Sequence, residues 1–210
     1  MTLKKVIFYG DSNTYGYDPA GMYEMRYPKE KRWTAVVEEQ FRSSLEIRTE
    51  GMNGRRLPDL RYDESYIHKI LNLLGPDGLL CTMLGTNDIL SSLEPDADVP
   101  IKRMDAYLRY LLTVLDPGQI LIVAPPYVGD ANTGDLLYRR FHEESIRMNE
   151  AFTEMAAERK VWFADASKWG IDLSFDRAHF SEEGHRVFAA KMIQLLLDVF
   201  PPHAFGVYCL

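Results

Sequence analysis

The chain has 210 residues, 46% hydrophobic and 26% charged, a size and mix that suit one α/β domain burying its core without disulfides. Its formal net charge of −7 excludes a broad nucleic-acid or anionic-membrane surface, and Arg55-Arg56 form only a local basic spot, followed at once by Asp59, Asp63 and Glu64. Cys81, within an apolar run, and Cys209 give neither a disulfide framework nor a metal-ligand spacing.

No apolar run reaches the length of a signal-peptide core or a transmembrane span, so a cytoplasmic protein without membrane insertion is expected. Val6 to Tyr9 is a first strand, closed by Gly10. Trp33, Val36, Val37 and Phe41 recur at helical spacing, and Leu45 to Thr49 is a second, weaker strand. Helical character from about Asp59 to Leu74 stops at the Gly75-Pro76-Asp77-Gly78 turn. The continuous apolar run Leu79 to Leu84 suits a strand buried on both faces. Ile101, Met104, Leu108, Leu111, Leu112 and Leu115 form a helix stripe. Ile120 to Ala124 is the fourth strand, and Phe141, Ser145, Met148, Phe152 and Met155 mark another helix. Val161 to Ala164 is the fifth strand, and a helix through Val187, Ala190, Ile193, Leu197 and Phe200 follows.

Short apolar strands separated by helices mean βαβ units. With right-handed crossovers they predict a three-layer α/β/α sandwich over residues 1–210. Its five-stranded parallel sheet is expected in the flavodoxin-like order 2-1-3-4-5. Ligands in such sheets bind beyond the carboxyl ends of the strands. There lie Gly10-Asp11-Ser12-Asn13-Thr14-Tyr15-Gly16, Gly51-Met52-Asn53-Gly54-Arg55, Gly85-Thr86-Asn87-Asp88 and, past strand five, Asp176-Arg177-Ala178-His179-Phe180. A serine, a flexible glycine turn, an asparagine and an acid–histidine pair together supply the parts of an acyl-transfer site.

These segments resemble, in order and spacing, the four blocks of the SGNH/GDSL hydrolases: Gly10-Asp11-Ser12, Gly54, Gly85-Thr86-Asn87-Asp88 and Asp176-x-x-His179. The Thr-aromatic-Gly-aromatic run after Ser12, Arg32-Trp33-Thr34, Met83 to Asp88 and Ala124-Pro125-Pro126 are similar to the arylesterase/perhydrolase branch. Asn53 departs from the small Ser or Ala expected there, and carbohydrate acetylesterases share the same frame.

The resemblance implies Ser12 as nucleophile, which needs a base to take its proton at neutral pH. His179 would be that base, with Asp176 fixing its tautomer. The Ser12 N–H, the Gly54 N–H and the Asn87 side chain would form the oxyanion hole. Asp11, Thr86 and Asp88 are expected to support these groups by bonding the backbone of neighbouring loops. Tyr15, Tyr17, Tyr23, Tyr27 and Trp33, with Tyr127 after strand four, either wall a substrate pocket or pack an irregular connection. His185 is expected at the surface or the start of the last helix, and His68, His142 and His203 have no evident partners.

The expected function is hydrolysis of carboxylic esters with short acyl groups (aryl, alkyl or sugar O-acetyl), with a small-molecule ester as substrate and no cofactor or metal. Residues 129–140 form a second polar excursion, a candidate site rim or oligomer contact, and the apolar stretch Ala204 to Tyr208 is expected to pack on a partner subunit or on the domain's own flank. The competing reading is a flavodoxin-like phosphate- or flavin-binding module, or a non-catalytic scaffold, built on the loop after strand one. The binding module leaves Asn87 and the Asp176–His179 pair unexplained, and no substituted catalytic position supports the scaffold. No Gly-x-Ser-x-Gly elbow is present, which argues against the α/β-hydrolase fold.

Overall fold

The computed structural model describes residues 3–21 and 25–201. Tyr23, His203, Ala204 to Tyr208 and Cys209 lie outside these.

Five strands form one sheet: β1 (Lys4–Gly10), β2 (Leu45–Gly51), β3 (Leu79–Met83), β4 (Ile120–Ala124) and β5 (Trp162–Asp165). All neighbours are parallel and the order is β2-β1-β3-β4-β5, as the strand–helix alternation predicts. The helices are α1 (Ser12–Tyr15), α2 (Trp33–Phe41), α3 (Leu60–Leu74), α4 (Thr86–Leu90), α5 (Asp98–Leu111), α6 (Leu136–Arg159) and α7 (Glu182–Val199).

The sheet sends alternate side chains to opposite faces, and each face collects its own core. Val6, Phe8, Leu121 and Val123 pack with Trp33, Val37 and Phe41 of α2 and with Phe188, Met192 and Leu196 of α7. Ile7, Tyr9, Leu80 and Ile122 pack with Ile67 and Ile70 of α3, Met104 and Leu108 of α5, and Met148 and Phe152 of α6. Every residue of β3 and β4 is buried, which explains their unbroken apolar runs. Cys81 belongs to this core, and burial raises its thiol pKa. Among the described residues, no helix is long and apolar enough to cross a membrane.

Helix ends depart from the apolar stripes because caps, not stripes, set them. Asp135 accepts from the N–H groups of Leu137 and Tyr138 and starts α6 at Leu136, well before Phe141. Part of the supposed polar excursion 129–140 is therefore the first turn of α6, and Leu136 there is 70% exposed. Likewise Ser181 accepts from Gly184 N–H and starts α7 at Glu182. Asp59 caps α3 by accepting the Arg61 N–H.

In the order 2-1-3, the connection leaving β1 packs α2 on one face of the sheet, and those leaving β2 and β3 pack α3 and α5 on the other. This is the switch point where such sheets open a crevice. Gly10 of β1 is level with Gly51 of β2 and with Met83 of β3, so the three polar segments that follow start side by side. α1 then lies directly on the end of β2. A Cβ on Gly51 would stand 2.4 Å from Tyr15 N and 2.7 Å from Thr14 C, both backbone atoms that cannot swing aside. Gly51→Ala is expected to destabilise the fold by about 1–3 kcal/mol, the usual range for overpacking, and to lower activity by displacing α1. Chemical denaturation and ester turnover measured on the same preparation check both effects.

Candidate active site

Ser12 is the first residue of α1, a single turn of four residues. Asp11 caps it by accepting the Asn13 N–H at 2.9 Å, and the Asp11 carbonyl accepts the Thr14 and Tyr15 N–H groups at 3.1 and 2.9 Å. The turn is too short to build a useful macrodipole, so what it offers is specific N–H groups. The Ser12 N–H donates to no group among the described residues. Gly54 ends in the same state. Its φ of 73° suits glycine, and a Cβ there would meet open space.

Asp176 and His179 sit on a small hairpin. Leu173 bridges Phe180, Ser174 N–H donates to the His179 carbonyl at 2.7 Å, and Arg177 makes the tight turn at φ 55°. Asp176 Oδ1 accepts the N–H groups of Ala178 and His179 at 3.1 and 3.0 Å. Its other oxygen, Oδ2, lies 2.6 Å from His179 Nδ1. The opposite ring nitrogen, Nε2, lies 2.9 Å from Ser12 Oγ. A carboxylate at Nδ1 favours the proton there, leaving Nε2 free to accept from the serine hydroxyl. Burial alone raises the Asp176 carboxyl, but the His179 ring, the His179 N–H and the Ala178 N–H outweigh it, and its pKa is lowered overall. The acid at this point of the chain thus stays ionised beside the imidazole.

Asn87 opens onto the same region from α4. Its Nδ2 donates to the Arg55 carbonyl at 3.0 Å, which fixes the amide and leaves its second N–H without a partner among the described residues. Arg55 itself is buried, donates from its guanidinium to the Gly10 carbonyl at 3.0 Å and also to the Glu50 carbonyl, and lies 4.4 Å from the Tyr9 ring centroid. One arginine therefore ties the ends of β1 and β2 to the asparagine of α4. The basic pair at 55–56 is local as its composition suggested, but this anchoring role has no sequence signal beyond a charged residue flanked by Gly54.

Of the expected supports, Asp11 caps α1, and Asp88 accepts the Leu57 N–H at 2.9 Å and pairs with Arg103 at 2.8 Å. Thr86 opens α4 and is buried, with no side-chain hydrogen bond to a neighbouring loop among the described residues. Burial raises both aspartates: Asp11 to about 6, against the pull of the Asn13 N–H, His179 and Arg55, and Asp88 against the Leu57 N–H and Arg103.

The aromatic candidates divide. Tyr17 lies at the site, its ring 4.7 Å from that of His179. Tyr15 is half-buried beneath the Arg26 guanidinium at 3.9 Å, and Tyr127 meets His142 edge-on at 5.6 Å. Trp33 is no pocket wall. It is 2% exposed, 4.7 Å from both Phe8 and Phe188, and its indole donates to the Asn13 carbonyl at 2.8 Å. Tyr27 is buried and edge-on to His185 at 5.0 Å. His185 starts the last helix but is not at the surface. It is fully buried between Tyr27 and Phe180, and burial together with Arg32 lowers its pKa to about 3. The apolar period of α7 begins at Val187, so nothing in the sequence marks the preceding turn as interior.

The profile of the GDSL-like lipase/acylhydrolase family matches residues 8–187. No curated protein matches the chain in sequence. Among solved structures, a protein assigned as an arylesterase from Agrobacterium tumefaciens str. C58 is 27% identical over 94% of this chain and 100% of its own, with a TM-score of 0.76. A carbohydrate acetylesterase family member from Sinorhizobium meliloti is 26% identical over 98% of this chain and 100% of its own, TM-score 0.76. The aryl esterase of M. smegmatis, at 22% identity over 93% and 99% with a TM-score of 0.74, shares the fold. From the family match across most of its length and the parallel 2-1-3-4-5 sheet, the chain belongs to the GDSL-like lipase/acylhydrolase family of ester hydrolases and carries the SGNH hydrolase fold.

Proposed function

We propose that the protein hydrolyses carboxylic esters of short acyl groups through an acyl-enzyme on Ser12, with His179 as base and Asp176 as its orienting acid. The observation that carries this reading is the unbroken relay of Ser12 Oγ, His179 Nε2, His179 Nδ1 and Asp176 Oδ2, with contacts of 2.9 and 2.6 Å. These distances lie within the reach that proton transfer requires.

In the first half-reaction Ser12 Oγ attacks the ester carbonyl carbon while its proton passes to His179 Nε2. The carbonyl oxygen takes up the negative charge and meets the Ser12 N–H, the Gly54 N–H and the free N–H of Asn87 Nδ2. Collapse breaks the bond to the alcohol oxygen, which leaves with the proton from Nε2. In the second half a water gives its proton to Nε2 and attacks the acyl carbon, and Ser12 Oγ recovers that proton as the carboxylic acid departs. Asp176 remains a carboxylate throughout and stabilises the transient imidazolium.

The alcohol side of the ester is aryl, alkyl or sugar. Arylesterase and carbohydrate acetylesterase are the activities named for the similar structures, and both are consistent with a small acyl group. The phosphate-binding alternative is disfavoured by the turn after β1. Its Asn13 N–H is occupied by Asp11, whose buried carboxyl would sit beside any anion placed there.

Incubation with a fluorophosphonate followed by peptide mapping is expected to give a single adduct on Ser12. Ser12→Ala should abolish hydrolysis of p-nitrophenyl acetate with little change in melting temperature. Turnover like the wild type in that variant overturns the mechanism. Asn87→Ala should lower kcat on the order of 10²–10³-fold, the usual loss for one oxyanion donor, with KM little changed. An effect confined to KM would make Asn87 a binding group.

The buried Asp11 gives a pH signature. Its folded pKa of about 6 exceeds the ordinary 3.8, so the native state holds the proton longer than the unfolded state between these values. Stability contributed by protonated Asp11 is complete below 3.8 and is lost as pH rises to about 6. Asp11→Asn keeps the cap acceptor and removes this titration. The melting temperature of the variant relative to wild type should therefore climb between pH 4 and 6.5. A difference independent of pH would show that Asp11 does not titrate in this window.

A further inference from the structure

The residue after the serine, Asn13, is 4% exposed, and its amide reaches across the molecule to the histidine hairpin. Its Oδ1 accepts the Phe180 N–H at 2.8 Å and its Nδ2 donates to the Ala178 carbonyl at 3.1 Å. These two groups flank His179 on one edge of an extended segment. The amide therefore pairs with that edge as a neighbouring strand would, one donor and one acceptor bracketing a single residue. The opposite edge is closed as well, since the His179 carbonyl accepts from Ser174 and the His179 N–H is held by Asp176.

Asn13 is in turn held rigidly. Its N–H is taken by Asp11, and its carbonyl accepts the Trp33 indole at 2.8 Å from the core. The two ends of the relay thus share one short support. Ser12 and the amide that brackets His179 are adjacent in the chain, and a shift of one moves the other with it. Leucine has the size and neither bond, and aspartate accepts but sets an oxygen against the Ala178 carbonyl.

We propose that Asn13 is a positioning residue that sets the distance between Ser12 Oγ and His179 Nε2 by clamping the backbone on both sides of His179. The inference rests on the function proposed above. Because misplacing a base by an ångström can lower rates about 10²-fold, Asn13→Ala should lower kcat for p-nitrophenyl acetate by about 10- to 100-fold with KM within about twofold. Asn13→Asp, which keeps the Phe180 bond but sets an oxygen against the Ala178 carbonyl, should lower kcat as well, and it serves in its place should the alanine variant not fold.

The deciding measurement is a double-mutant cycle with His179→Ala, with circular dichroism to normalise for folded protein. Asn13 acting through His179 predicts that its substitution has no further effect once the imidazole is gone. A merely structural role predicts the same fold-loss in both backgrounds. Equal losses, or kcat for both Asn13 variants within twofold of wild type while His179→Ala is inactive, overturn the positioning role and leave the proposed mechanism intact. Full activity in His179→Ala would instead remove the base assignment, and this inference with it.

Discussion

The turn that carries Ser12 sits backbone against backbone on the end of β2, in space that exists because residue 51 has no side chain. That contact fixes α1 relative to the carboxyl edge of the sheet. The other groups at the site are measured from the same place. Arg55 bonds to the carbonyl of Gly10 at the end of β1, and Asn87 bonds to the carbonyl of Arg55. Met52 N–H also donates to Gly10. The three segments following β1, β2 and β3 are therefore one hydrogen-bonded unit, not three loops that happen to be near one another. The histidine hairpin arrives from the far end of the chain, fastened by the Asn13 amide and by Gly129 N–H, which donates to the Arg177 carbonyl.

Three aspartates in this region show how surroundings divide identical groups. Asp176 is partly exposed and accepts two backbone N–H groups besides the imidazole, and its pKa falls despite burial. Asp11 is buried with one backbone donor, and burial dominates. Asp88 is buried with a backbone N–H and an arginine, yet burial still raises it. The carboxylate whose pKa falls is the one with the most donors, and it is the one against the histidine. The other two hold backbone N–H groups.

The buried aromatic set behind the site has a structural task. Trp33 joins the core under the sheet to the carbonyl of Asn13, and Tyr27 and Phe180 enclose His185. Lying close to the nucleophile in sequence, Trp33 resembles a pocket residue. Its ring instead packs on Phe8 and Phe188, because α2 begins at Trp33 and turns its first residue inward. Tyr17 is the aromatic from that stretch that touches the histidine.

The sequence by itself determined the strands, their parallel order and the four segments at their ends. Apolar runs such as Leu79 to Leu84 and glycine punctuation are local signals, and right-handed crossovers leave few topologies. It also determined the Asp176–His179 pair, since a separation of three residues in a hairpin is itself a local geometry. Only the tertiary structure decided that Asn13 brackets His179, that Arg55 anchors Asn87, that His185 is interior and that Trp33 is core. Those contacts join residues 32, 152 and 165 or more positions apart, or depend on which way a helix turns its first residue. Period and composition describe which residues share a face. They carry no information on which backbone groups of a distant loop a given amide or guanidinium will meet, because that is fixed only when the layers pack.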